Sequence, residues 1–529
     1  MNNTDNSTLK LEPWVSDQGD GTFFNPVLYA DYSDPDVICV GQDFYMTASS
    51  FGHIPGLPIL HSKDLINWRL INHVIKRMDL PDYELPQHGK GVWAPSIRYH
   101  DGKYWVFYGD PDVGIFMSTT DDPAGEWSTP HLVQAGKGLI DTCPFWDDDG
   151  QAYLVHAFAG SRAGIKHKLR ICRMSPDGKR LLDEGTIVYD NPDKHPTLEG
   201  PKMYKRNGTY YIFAPAGGVE TGWQTVFRSK NVFGPYEERV VLHQGNTSVN
   251  GPHQGGWVEL ESGESWFMHF QDRDAYGRIM HLQPVEWVED WPLMGKDINK
   301  DGIGEPGLQW NKPDVGKQFP IEVPVSSDEF DKSQLGLQWQ WQANPLQRWY
   351  SLEERPGSLR LFAEALPAGT PSLYHAPHLL LQKFPAPAFV ATVKLDASGL
   401  KSGERAGLIV FGYQYMYIGI HRTVYSDSAG DWFELVAMTG DANGERQLWT
   451  KQINTYSLYL QVLVEDGGYC SFKYSDDGDE FQLMDTPRVQ ASKGHWVGAK
   501  CGLFAARLDN GKSKGYIDAE WFRVSSYPE

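Results

Sequence analysis

Along the first 300 residues, apolar and polar positions alternate in short runs broken by turn residues, and the pattern returns five times. Each copy begins at a proline, continues into an apolar stretch, breaks at a turn, and resumes as an aromatic-rich run. In the first copy Asp34-Pro35-Asp36-Val37-Ile38-Cys39-Val40 leads through Gly41-Gln42-Asp43 to Phe44-Tyr45-Met46-Thr47. The second runs from Ala94-Pro95-Ser96-Ile97 through Asp101-Gly102 to Tyr104-Trp105-Val106-Phe107-Tyr108. The third turns at Asp149-Gly150 and the fourth at Asn207-Gly208, while the fifth is looser, with Ser262-Gly263 before Ser265-Trp266-Phe267-Met268. Asp-Gly and Asn-Gly between apolar runs signal hairpins, because both central residues of a type I′ turn take positive φ. The prolines stand at 35, 95, 144, 201 and 252, at intervals of 60, 49, 57 and 51 residues. About 50 residues accommodate four short strands, one blade of a propeller, so five units predict five blades. A β-sandwich also contains hairpins, but it would not hold proline and turn at one relative position.

Past Trp310 the repeat stops. The stretch 311–325 is rich in Pro, Gly and polar residues and reads as a linker. Beyond it Phe389, Ala391, Val393 and Leu395 share one face of a strand pattern, as do Leu458, Leu460, Val462 and Val464. The expected organisation is all-β: a tail over 1–20, a five-bladed β-propeller over 21–310, the linker, and a jelly-roll-like β-sandwich over 326–529. Composition agrees: helical periodicity is weak, aromatics make up 13%, and 54 Gly and 34 Pro suit turns.

Charge narrows the partners. With 48 Lys and Arg against 68 Asp and Glu, the net charge of −20 disfavours nucleic acid and anionic membranes, so a neutral small molecule or polymer is expected. Five scattered cysteines give neither a disulfide framework nor a CxxC metal knuckle. The start lacks a basic segment followed by an apolar one, and no apolar run is long enough for a membrane helix; the chain reads as cytoplasmic, and a clipped signal peptide would leave the same sequence.

The first strand of each blade lines a propeller's axis, so residues at those strand entrances converge on one pit. Asp34 immediately precedes Pro35, Asp141 lies three residues before Pro144, and Glu199 two before Pro201. Three acids at one repeat address are expected to meet in space. Two carboxyl groups across a sugar ring are what glycoside hydrolysis uses, and crowding raises at least one pKa so that an acid stays protonated near neutrality. Phe51, Trp93 and Trp146 are candidates to pack against sugar faces around the pit.

The strings Ala30-Asp31-Tyr32-Ser33-Asp34-Pro35-Asp36, Trp93-Ala94-Pro95, Ile140-Asp141 with Phe145-Trp146-Asp147-Asp148-Asp149-Gly150, and Leu198-Glu199-Gly200-Pro201 closely resemble glycoside hydrolase family 43. The likeness extends over nearly the whole chain. With Pro55-Gly56-Leu57-Pro58-Ile59-Leu60, it is most similar to the branch that holds α-L-arabinofuranosidases, beside the β-xylosidases. The resemblance implies an inverting, exo-acting enzyme on hemicellulose or its oligosaccharides: Asp34 the general base, Glu199 the general acid, and Asp141 the group that orients Glu199 and tunes its pKa. It places Arg278 in the sugar pocket and makes His253 similar to an axial histidine that lies beneath the active site beside a water or a calcium. It therefore implies no required cofactor, a structural calcium beside His253 as the one ion to look for, and no other metal. The family usually has Gly-His-Gly or Gly-His-Ala there, whereas this chain has Pro252-His253-Gln254. Asp297-Ile298-Asn299-Lys300-Asp301-Gly302 mimics half an EF-hand loop, but the twelfth position is Leu308, so a turn is expected. A β-xylosidase confined to xylo-oligosaccharides, a family 32-like β-fructosidase and a sugar-binding propeller without catalysis are the alternatives. The fructosidase lacks support, since Ser33-Asp34-Pro35-Asp36 replaces Asn-Asp-Pro-Asn, Glu199-Gly200 replaces Glu-Cys, and no Arg-Asp-Pro occurs. The binding module would have no need of all three acids.

Overall fold

The Asp101-Gly102 and Asn207-Gly208 pairs form left-handed turns, with φ of 49° and 73° in the first and 50° and 70° in the second. Each joins antiparallel strands, Trp93–His100 to Lys103–Asp110 and Lys202–Arg206 to Thr209–Ala216. The third copy departs from the expected tight turn: its strands are joined by a wider loop closed by Asp147 N–H donating to the Gln151 carbonyl at 2.8 Å. The computed structural model describes residues 12–423, 432–507 and 514–528. Among these, five four-stranded antiparallel sheets span 36–75, 93–135, 139–190, 202–242 and 253–294, each in sequence order. They are the five blades of a β-propeller, with the first strand of every blade innermost.

The ring closes without exchanging a strand between blades. Thr22–Phe24 pairs with Gln309–Asn311, and the Asn25 side-chain amide bonds both the N–H and the carbonyl of Leu282, at 2.8 Å each. The inner strands of blades five and one come so close at Gly256 that a Cβ there would lie 2.6 Å from the Val37 nitrogen. Of the expected tail over 1–20, residues 1–11 lie outside the described residues. Residues 12–20 fold back onto the propeller, where Trp14 Nε1 donates to the Pro26 carbonyl at 2.9 Å and Asp17 accepts from Asn67 at 2.8 Å.

Residues 312–325 run without a strand to the second domain, which packs two sheets face to face. The two apolar faces read from the sequence are paired there: Ala391 with Val462, Val393 with Leu460, and Leu395 with Leu458, all fully buried. Opposite them lie Leu408, Val410, Ile418, Ile420 and Leu503 in the same core. This is the expected β-sandwich.

The two domains interlock along one seam. Trp341 N–H donates to the Ile54 carbonyl at 2.6 Å, Asn344 bonds both backbone groups of Met78, and Ala499 N–H donates to the Ala275 carbonyl at 2.6 Å. No helix among the described residues is long and apolar enough to cross a membrane.

Candidate active site

At each inner strand's entrance the backbone turns left-handed. Asp34 has φ 54°, Ala94 32°, Asp141 58°, Gly200 58° and Gln254 53°. In blades two, three and five the turn coincides with a bulge, between Trp93 and Ser96, Ile140 and Cys143, and His253 and Gly255. A bulge re-aims a side chain that would otherwise follow the strand's alternation, and strained non-glycine residues collect where geometry serves a site. Asp34, Ala94, Asp141 and Gln254, with Glu199 next to Gly200, ring one pocket that is open to solvent on one side.

The three acids meet as expected, in different surroundings. Asp34 is 6% exposed; its Oδ1 accepts from Arg278 Nη1 at 2.7 Å, and its Oδ2 from Ser49 Oγ at 2.6 Å and Ser33 Oγ at 3.0 Å. Ser49 Oγ in turn accepts the Ala94 N–H at 2.7 Å, which ties Asp34 to the entrance of blade two. Asp141 is buried, and its Oδ2 accepts the Gly200 N–H at 2.8 Å. That bond links the backbone beside Glu199 to blade three. Burial pushes the Asp141 carboxyl well above the ordinary range, the Gly200 N–H works against that rise, and the Asp34 charge adds to it. Glu199 is raised likewise, first by burial and then by Asp141 and Asp34, with Arg278 and Lys166 opposing. Behind this wall the buried Lys202 reaches across the axis, donating to the Pro95 carbonyl at 2.7 Å and Ser96 Oγ at 2.8 Å.

Of the other expected residues, Phe51, Trp93 and Arg278 line the pocket. Phe51 packs edge-on to Trp93, with centroids 6.2 Å apart. Trp146 does not reach it. That residue ends the inner strand Leu139–Trp146, far from the entrance, where its ring stacks on His100 at 4.5 Å and its Nε1 donates to the Pro176 carbonyl at 2.8 Å. His253 also stays off the wall. It is fully buried behind Gln254, edge-on to Phe270, with neither ring nitrogen hydrogen-bonded and its imidazole kept neutral by burial, the pKa pushed down to about 3.

Calcium takes roughly six to eight oxygens, and among the described residues no three His, Cys, Asp or Glu side chains stand close enough to share an ion. The Arg278 charge also bears on His253. The donor set therefore does not make a calcium cage. The EF-hand-like stretch is a turn: Asp297 accepts from the Asp301 and Gly302 N–H groups, and Asn299 Oδ1 from Asp301 N–H, at 3.0–3.1 Å.

Three features were not foreseen. Gln254 reaches the pocket because the left-handed turn falls on it rather than on His253. A one-turn helix, Gly160–Ala163, brings Arg162, with Lys166 and His167 following it, to one side of the rim. The sandwich contributes His495 and Trp496, the latter at φ 66°, 44% exposed and edge-on to Trp93 with centroids 6.1 Å apart. The run Gly494-His495-Trp496-Val497-Gly498, an aromatic pair between glycines, was the available signal. Asp31 fixes this loop to the propeller, its Oδ1 accepting Arg278 N–H at 2.9 Å and its Oδ2 Gly498 N–H at 3.0 Å.

A propeller with three acids at the mouth of its axis and a sandwich side chain over them defines a glycan-processing enzyme. Residues 23–292 match the model of the glycosyl hydrolases family 43, and residues 327–525 match the β-xylosidase C-terminal concanavalin A-like domain. Relatives include a putative β-xylosidase of Xylanibacter ruminicola, 41% identical over 93% of this chain and 88% of that protein. A non-reducing end α-L-arabinofuranosidase of Bacteroides ovatus is 32% identical over 74% of this chain and 73% of its own. Among solved structures, a xylan β-1,4-xylosidase of Bacillus halodurans is 26% identical and superposes with a TM-score of 0.83 over 95% of this chain and all of that one. The chain belongs to glycosyl hydrolase family 43.

Proposed function

We propose that the chain is an inverting, exo-acting glycoside hydrolase that releases terminal pentosyl units, β-D-xylosyl or α-L-arabinofuranosyl, from hemicellulose or its oligosaccharides. The observation that carries the reading is the contrast between two carboxyls in one pocket. Asp34 accepts three hydrogen bonds, one from a guanidinium, and donates none, so both of its oxygens are held as acceptors facing the pocket wall. Glu199 is held protonated by burial and by the neighbouring acids. In the mechanism this implies, Glu199 gives its proton to the glycosidic oxygen as the bond to the anomeric carbon breaks. Asp34 takes a proton from the water that attacks the opposite face, in a single displacement. Asp141 keeps Glu199 in place through Gly200 and helps hold its proton. Arg278 fixes the direction of the Asp34 carboxylate.

Exo action follows from a pocket walled by Trp93, Phe51, Trp496 and the 160–163 turn, which admits a chain end more readily than the middle of a polymer. Two relatives aligned over more than nine-tenths of this chain, from Xylanibacter ruminicola and Formosa agariphila, carry β-xylosidase names, and two others aligned as widely, from Butyrivibrio fibrisolvens and Humicola insolens, carry xylosidase/arabinosidase names. That favours xylose as the first sugar to test. Paired nitrophenyl β-D-xylopyranoside and α-L-arabinofuranoside substrates, with the product anomer followed by proton NMR, test the reading. Immediate appearance of the inverted anomer is expected; a retained anomer would overturn the mechanism, and no release from either glycoside would overturn the activity.

A further inference from the structure

The pocket wall on the Glu199 side is cationic, although the chain as a whole carries a net charge of −20. Apart from the three catalytic acids, no Asp or Glu among the described residues lines the pocket, whereas Arg162 and Lys166 do, beside two imidazoles, His167 and His495, that burial keeps neutral. This side receives the leaving group, because Glu199 protonates the departing oxygen and Lys166 is the lysine whose charge reaches Glu199.

The cationic and imidazole side chains of this wall present donors. Arg162 is anchored: its guanidinium lies over the Trp93 ring at 5.6 Å and donates to Asp112 at 3.3 Å and to Ser161 Oγ at 2.8 Å. His167 accepts the Thr197 N–H at Nδ1, so its remaining ring nitrogen carries the proton. Lys166 has no ion-pair partner among the described residues. Its stem passes Gly160 so closely that a Cβ there would lie 3.0 Å from Lys166 Cδ. A neutral sugar is usually read by donors and acceptors together, because each hydroxyl is both. An ammonium, a guanidinium and an imidazole N–H on one wall suit a group that only accepts.

We propose that this wall is a carboxylate-binding subsite on the leaving-group side, and that the preferred substrates carry a uronic acid next to the sugar being released. Lys166 is its principal contact, with Arg162 and His167 beside it. The proposal rests on the hydrolase reading above and deepens it.

The test uses the full chain and three oligosaccharides ending in the sugar it releases: one with a uronic acid on the adjacent residue, its methyl ester, and the unsubstituted parent. At low salt kcat/KM for the acid is expected to exceed that for the ester about tenfold, and the ratio should shrink toward one as salt screens the charge. Lys166→Met should remove most of the ratio and Lys166→Arg retain it. The ratio also cancels any change in Glu199 common to both substrates. A ratio near one in the wild type, or one unchanged in Lys166→Met, overturns the subsite while cleavage of the parent leaves the hydrolase reading standing. Failure to cleave any of the three brings down both.

Discussion

At the scale of single residues, Glu199 and Asp141 serve chemistry at the expense of stability. Each keeps its proton in the folded chain at pH values where the unfolded chain has already released it. Between about pH 4 and neutrality the folded state thus binds more protons than the unfolded one, and stability falls as pH rises through that window. Glu199→Gln removes the titration while keeping the shape. It should raise the melting temperature near pH 7, by on the order of 2 kcal/mol of stability, and leave it unchanged near pH 4. A gain of equal size at both values would show that the carboxyl's proton is not the cause. The same variant should cut kcat about 10³-fold on oligosaccharides but far less on an aryl glycoside whose leaving group needs no proton. Asp34→Asn should lose activity on both kinds of substrate alike, and a leaving-group dependence in that variant would reverse the assigned roles. The three acids were legible because each stands one to three residues before a proline that marks a repeat. Trp146 does not reach the pit because it stands five residues beyond Asp141 on one strand, about 16 Å, which carries its ring to the other end of the blade.

At the scale of strands and turns, the periodicity was a reliable guide where one face of a strand is buried. The faces of Phe389–Asp396 and Ser457–Glu465 were read separately, and the fold pairs them residue for residue. It was a poor guide at the strand entrances, where a bulge breaks the alternation. Gln254 and Ala94 carry no chemical signature of their left-handed backbone, so their place on the wall could not be read from residue type. His253 looked the better candidate because it resembles an axial histidine of the family. The closure between blades five and one was equally silent, since it depends on the missing side chain at Gly256. Gly256→Val should push against the Val37 backbone rather than a flexible side chain. A loss of about 2–3 kcal/mol in denaturant unfolding is expected, whereas a loss below about 0.5 kcal/mol would mean that the two inner strands separate easily.

At the scale of the whole molecule, the sandwich is part of the active site because the seam that joins the domains is also the seam that builds the pocket. Asp31 bonds Arg278, the partner of Asp34, with one oxygen, and with the other Gly498, two residues beyond Trp496. Tyr276 Oη extends the seam, donating to the Pro387 carbonyl at 2.6 Å and accepting the Gly468 N–H at 2.8 Å. The backbones meet too closely for side chains: a Cβ on Gly498 would lie 2.6 Å from the Tyr276 carbonyl carbon. Domains in loose contact unfold separately, whereas these share backbone hydrogen bonds and a core, so the chain should melt in one calorimetric transition. Asp31→Ala leaves the Arg278 and Gly498 N–H groups without their acceptor, which costs about 1–3 kcal/mol for each if it stays buried. Two consequences are expected together. The transition should broaden or split as the domains uncouple, and KM should rise because Trp496 is no longer held over the pocket, with kcat falling as well because Arg278, which directs Asp34, loses its backbone anchor. Trp496→Ala separates the two effects: it should reproduce the rise in KM and keep the single transition. If the wild type melts in two steps, or if Asp31→Ala alters the melt without altering KM, the seam is scaffolding alone and the sandwich does not shape the site.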